Sequence, residues 1–136
     1  MTDILIDTGS WVALTDRSEK DHKKCVQWIK SFRGRLFSTD AVLTEVLYLL
    51  NFSIEAQSSA IDFVLTGAIT IVPSSKENLR KIKELMLKYK DVPMDFADAS
   101  LVAIANDLGI HHIATFDKKD FGIYRFGRKG CFVIMP

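Results

Sequence analysis

Short apolar runs alternate along this chain with longer stretches in which apolar residues recur every three or four positions. "ILID" at residues 4–7 is a continuous apolar run that ends in an acid, the pattern of a strand buried on both faces. Residues 22–32 place Cys25, Trp28, Ile29 and Phe32 at helical spacing. "LFST" predicts a second strand, after which Thr39 or Asp40 can cap a helix through "AVLTEVLYLL". Residues 54–65 predict another helix, and "AITIVP" a third strand stopped by Pro73. Leu79, Ile82, Met86 and Tyr89 line one face of the next helix. Pro93 and Asp95 open a helix that runs to about Leu108, and Gly109 ends it. "HIATF" and "CFVIM" supply a fourth and a fifth strand.

This alternation predicts an α/β fold: a three-layer α/β/α sandwich around a mostly parallel sheet of about five strands. With no repeat or linker, residues 1–136 read as one domain. Sheets of this kind bind ligands at the carboxyl ends of their strands, so chemistry is sought there.

Composition narrows the classes. A 48% hydrophobic content supports a real core, and a formal charge of +1 leaves any polyanion site to a local patch. Cys25 and Cys131 match no metal or redox spacing and read as reduced core thiols, as expected of a cytoplasmic chain. Met-Thr-Asp lacks the positive flank of a signal peptide, and no run approaches the roughly 20 apolar residues of a membrane span. No membrane partner is expected.

"ILIDTGSWVAL" contains Asp-Thr-Gly, the catalytic tripeptide of aspartic proteases. Those enzymes are β-rich and bring two such loops together. Helical periodicity over most of this chain argues against that reading. "HIATFD" instead repeats the grammar of "ILID", an apolar strand ending in an acid. If the two strands are parallel neighbours, Asp7 and Asp117 leave the same edge of the sheet. A lone strand-end aspartate is ordinarily a turn or cap residue, and two on one edge are harder to dismiss.

Glu45 lies in a helix apolar nearly all round, with Thr44, Glu45 and Tyr48 its polar positions. It forms either a narrow solvated stripe or a covered carboxylate in need of partners; the second is favoured, because a helix so apolar should be well covered. Asp95 and Asp98 share a face near a helix N-terminus, where capping alone could explain both. The small neighbours Ala97, Ala99 and Ser100 favour Asp98 as the site residue and Asp95 as the cap. Asp7, Glu45, Asp98 and Asp117 converging at one edge could not all stay ionised without a cation. Oxygen ligands without His or Cys select Mg2+ or Mn2+. His111 and His112 precede the fourth strand, at the opposite edge, and His22 reads as solvated.

"ILIDTGSWVAL", "FSTDAVLTEVLYLL", "DVPMDFADASLVAIANDLGIHHIATFDKKDF" and "FVIMP", in this order, resemble the PIN-domain family, and within it the small VapC-like members of toxin–antitoxin type. The resemblance implies a compact α/β/α domain and a metal-dependent endoribonuclease. It implies catalytic acids at Asp7, Glu45, Asp98 and Asp117, with Asp7 and Asp98 the main metal anchors and Asp117 beside them. Thr8 and Thr115 take supporting positions, and Asp95 and Asp120 are extra acids. It also implies an RNA substrate, a homodimer and a small inhibitory antitoxin protein.

After Asp117 come Lys118, Lys119, Arg125, Arg128 and Lys129, interleaved with Phe121, Tyr124 and Phe126. Such residues can neutralise phosphates and stack on unpaired bases, or they are a solvated loop with core aromatics. Phosphotransfer classes fit poorly: Gly9 stands where a haloacid dehalogenase needs a second Asp, and "ILIDTG" offers one acid where a receiver domain needs a pair. The remaining alternative is a non-catalytic metal- or protein-binding module.

Overall fold

The first strand, β1 (Thr2–Ile6), puts Ile4, Leu5 and Ile6 at zero exposure, as a run apolar on both faces requires. The computed structural model describes residues 2–92, 94–126, 130–131 and 133–135. After β1 come helices α1 (Thr8–Thr15) and α2 (His22–Ser31), then β2 (Gly34–Thr39). Helices α3 (Asp40–Leu49) and α4 (Ile54–Leu65) lead to β3 (Ile69–Val72). Helices α5 (Lys76–Lys88) and α6 (Phe96–Leu108) lead to β4 (His112–Ala114). The short α7 (Lys118–Ile123) is followed by β5 (Arg125–Phe126), β6 (Gly130–Cys131) and β7 (Val133–Met135).

Five strands form one sheet in the order β3-β2-β1-β4-β7, every neighbouring pair parallel. Ile4 is in register with Leu36 on one side and His112 on the other. The chain moves outward from β1 to β3, then returns to β4 on the far side of β1. With right-handed crossovers this places helices on both faces, and the topological switch lies between β1 and β4. The α/β/α sandwich expected from the sequence is thus what the chain forms.

Local signals set the helix ends. Thr39, Ser53, Ser75 and Asp95 each accept a backbone N–H of the first turn with a side-chain oxygen. Gly109 closes α6 at φ 66°, a left-handed conformation that favours glycine. Helix α1 has no polar face: Trp11, Val12, Ala13 and Leu14 are all buried, so it shows no helical stripe in the sequence.

Three expectations need correction. The expected fifth strand, 131–135, has two pairings: Cys131 belongs to β6, which pairs antiparallel with β5, and Val133–Met135 joins the main sheet, while residue 132 lies outside the described residues. Helix α3 is not covered all round. Its C-terminal half leaves Tyr48 and Leu49 exposed, next to Phe52, Ile54 and Leu65. His22 is half-buried, and its Nδ1–H donates to the Ala13 carbonyl at 2.7 Å. Among the described residues no helix is long and apolar enough to cross a membrane.

Candidate active site

The carboxyl edge of the sheet is where β1 and β4 release Asp7 and Asp117. Asp7 N–H donates to the Ala114 carbonyl at 3.0 Å, extending the ladder one residue beyond β1. Each of its side-chain oxygens accepts one hydrogen bond. Oδ1 accepts the Thr8 N–H at 2.7 Å, capping α1, and Oδ2 accepts the Thr115 hydroxyl at 2.9 Å. Thr115 Oγ1 in turn accepts the Asp117 N–H at 2.9 Å, so one threonine ties the two strand-end acids together. Asp117 Oδ1 accepts the Asp120 N–H at 3.1 Å and starts α7, which places the Asp120 carboxylate one turn away on the same side.

Helices supply the other acids. Asp95 caps α6 by accepting the Asp98 N–H at 2.8 Å, the role its position suggested. Asp98, in the first turn, is half-buried and receives the Tyr124 hydroxyl at 3.3 Å. Glu45 comes from α3, whose start is fastened to α6. Ser100 Oγ donates to the Ala97 carbonyl at 2.6 Å, so in the 2.7 Å contact with Thr39 the Thr39 hydroxyl is the donor. Thr39 Oγ1 accepts the Val42 N–H at the same time. This buried pair sets the spacing between the helices that carry Glu45 and Asp98.

The result is a cleft of about 450 Å³ lined by Asp7, Thr8, Gly9, Glu45, Leu49, Asp95, Asp98, Phe116, Asp117 and Asp120. Among the described residues, six of these are acids and none is basic. All four acids expected at the site line it, together with Asp95 and Asp120. Asp98, Asp117 and Asp120 each offer an oxygen within 4.8 Å of the others. Asp120 was legible only as an acid of uncertain place. Its three-residue spacing from Asp117, typical of a helix cap, was the available signal.

Crowded carboxylates in a poorly solvated cleft hold protons tightly. Asp7 is raised to about 6, chiefly by burial, against the opposing pull of the Thr8 N–H and Thr115 hydroxyl. Asp98 is raised to about 8 by burial and then by the charges of Asp7, Asp95 and Asp117. Burial and Asp95 raise Glu45, and burial and Asp117 raise Asp120. Burial followed by Asp98 raises the Tyr124 phenol. Among the described residues, Thr8, Ser10 and Trp11 of α1 each bury a polar atom without a partner in hydrogen-bond geometry, and of these Thr8 Oγ1 belongs to the cleft. Thr8 lies near enough to Glu45 to favour its charged form.

The basic, aromatic segment divides. Lys119 is exposed beside Asp120 and partly offsets its neighbours' negative charge. Arg125 points elsewhere: its guanidinium donates to the carbonyls of Gly122, Ile123 and Tyr124 and lines a separate groove with Lys81, Glu84 and Lys88. Phe121 and Tyr124 are fully buried core residues, so neither can stack on a base; the packing of the adjoining β5 segment against α6 draws them inward. Arg128, Lys129 and the side chains of Lys118 and Phe126 lie outside the described residues.

Known proteins share this fold. Ribonuclease VapC26 of Mycobacterium tuberculosis is 25% identical over 135 residues, 98% of this chain and 100% of the relative. The crystal structure of VapC20 from the same organism, a sarcin–ricin loop cleaving toxin, superposes with a TM-score of 0.78 at 21% identity, over 85% of this chain and 91% of that one. VapBC2 of Rickettsia felis, solved with promoter DNA, matches with a TM-score of 0.69 at 16% identity, over 99% of this chain and 100% of that one. The PIN domain family model matches residues 4–128, nearly the whole fold and every acid of the cleft, and the chain belongs to the PIN-domain family.

Proposed function

We propose that this protein is an endoribonuclease that hydrolyses RNA phosphodiester bonds with Mg2+ or Mn2+ and acts as the toxin of a toxin–antitoxin pair. The observation that carries the reading is the acid cleft, in which Asp98, Asp117 and Asp120 bring oxygens within 4.8 Å of one another. The residues fit a hard divalent cation. The donors are all oxygen, the acids resist ionising together, and Thr8 Oγ1 is a buried hydroxyl still lacking a partner. Asp7, Asp98 and Asp117 would hold the ion, with Asp120 in reach. When bound, it supplies Lewis acidity toward a phosphodiester and a water molecule.

The chain's own residues do the rest. Asp7 is held rigid by Thr8 N–H and the Thr115 hydroxyl, so its charge stays aimed into the cleft. Glu45, beside Thr8, has a raised proton affinity and takes the proton of the attacking water on its carboxylate. Lys118 and Lys119 at the start of α7, with Arg128 and Lys129 further along the chain, attract the RNA backbone to a site that would otherwise repel it. The resemblance to VapC26 and VapC20, named as a ribonuclease and a sarcin–ricin loop cleaving toxin, supports this substrate class. The exposed apolar side chains of Tyr48, Leu49, Phe52, Ile54 and Leu65 support a homodimer and an antitoxin partner, and several of the similar structures are toxin–antitoxin complexes. We place the protein in the cytoplasm.

The test is to incubate purified protein with total RNA, with and without Mn2+ or Mg2+, and to map the cut ends. Cleavage should require the metal and vanish in Asp98→Asn. Metal uptake without cleavage would identify a binding module instead.

A further inference from the structure

Among the described residues, the Asp98 carboxylate receives one hydrogen bond, from the Tyr124 hydroxyl to Oδ2 at 3.3 Å. Tyr124 sits 26 residues later in the chain, at the turn from α7 into β5. Its placement is unusually constrained. The ring is fully buried and meets Phe121 edge-on, with ring centres 5.2 Å apart. It meets Tyr89 of the α5 C-terminus the same way, also at 5.2 Å. Tyr89 Oη accepts the Arg125 N–H at 3.1 Å, which pins the backbone just beyond Tyr124. Two aromatic rings and a fixed backbone leave the phenol one direction in which to point. A phenylalanine would fill this space equally well. The hydroxyl is therefore accounted for by what it touches, an acid of the cleft.

We infer that Tyr124 is a positioning residue for the metal site: its hydroxyl holds one oxygen of Asp98 and presents the carboxylate to a divalent cation. The inference rests on the metal-dependent reading above. Partners of a metal-binding carboxylate orient it, and losing one typically weakens metal affinity by roughly 10–100-fold. At 3.3 Å the bond is long for O–H···O, so the low end applies.

The experiment compares wild type, Tyr124→Phe and Tyr89→Phe. Free Mn2+ is measured by electron paramagnetic resonance during titration, and each protein is melted in EDTA to confirm folding. Tyr124→Phe should bind Mn2+ about 10-fold more weakly. In RNA cleavage it should need correspondingly more Mn2+ for half-maximal rate, while kcat at saturating Mn2+ stays within about twofold. Tyr89→Phe, which releases the Arg125 backbone but keeps the Tyr124 hydroxyl and both rings, should weaken Mn2+ binding less than Tyr124→Phe does. Wild-type affinity in Tyr124→Phe overturns the inference and leaves the ribonuclease reading standing. Equal weakening in both variants also overturns it, since loosened packing would then be the cause. A wild-type protein that binds no Mn2+ overturns both.

Discussion

Replacing Asp98 with asparagine should stabilise the metal-free protein while destroying its activity. The reason is the company Asp98 keeps. Burial and the charges of Asp7, Asp95 and Asp117 raise it to about 8. One pKa unit corresponds to about 1.4 kcal/mol, so at pH 7 the ionisation of Asp98 is opposed by roughly 4 kcal/mol before screening. The side chain is only half-buried and opens onto a cleft, so water and salt reduce this to about 1–2 kcal/mol. For a chain of this size that is about 5 °C in Tm. The sign follows from linkage. A carboxyl raised in the folded state binds protons more tightly than when unfolded. Its contribution is fully present below pH 4 and is lost as pH rises toward 8. In EDTA, Asp98→Asn should therefore melt about 5 °C above wild type at pH 7.5 and level with it near pH 4. Saturating Mn2+ should raise the wild-type Tm and leave that of the variant nearly unchanged, because a ligand stabilises only the state that binds it. Asparagine retains an acceptor for the Tyr124 hydroxyl, so the comparison isolates the charge. A variant that melts below wild type at every pH, or a gap that does not change with pH, would refute the picture of acids strained against one another.

Thr115→Val removes the hydroxyl that donates to Asp7 and accepts from Asp117, and it should cost about 1–3 kcal/mol in chemical denaturation. Since that hydroxyl lowers the Asp7 pKa, the acid limb of the cleavage pH profile should also move to higher pH. EDTA should abolish RNA cleavage and added Mn2+ restore it, followed on a gel; cleavage that survives chelation would reject metal dependence. Charge removal at Arg128 and Lys129 should weaken RNA binding and flatten its dependence on log salt by about one unit for each phosphate no longer neutralised; an unchanged slope would reject a role for these cations. Gly109→Ala forces a side chain into a left-handed cap and should lower stability by about 1–2 kcal/mol, read by urea midpoint, without changing the rate of cleavage.

The sequence alone determined what depends on near neighbours. The runs "ILI" and "ITIV" form the strands they predict, and Thr39, Asp95 and Gly109 bound their helices where the residue types said they would. These choices rest on periods of two and 3.6 residues and on hydrogen bonds across three or four positions, so a local reading finds them. Strand-end acids separated by 110 positions could be paired only through the rule that parallel strands release their ends on one edge. What the tertiary structure decided is everything that needs a direction as well as a position. Helix α1 escaped the pattern because it is buried on every side, and α3 misled it because its apolar C-terminal end stays exposed. For Phe121 and Tyr124 the sequence leaves base stacking and core both open, and they are core, since whether an aromatic faces solvent depends on what packs over it. Asp120 joins Asp98 and Asp117, and Tyr124 reaches Asp98, because the segment from α7 into β5 folds back over α6. No local period encodes that approach: it is the packing of distant segments that turns scattered acids into one cleft.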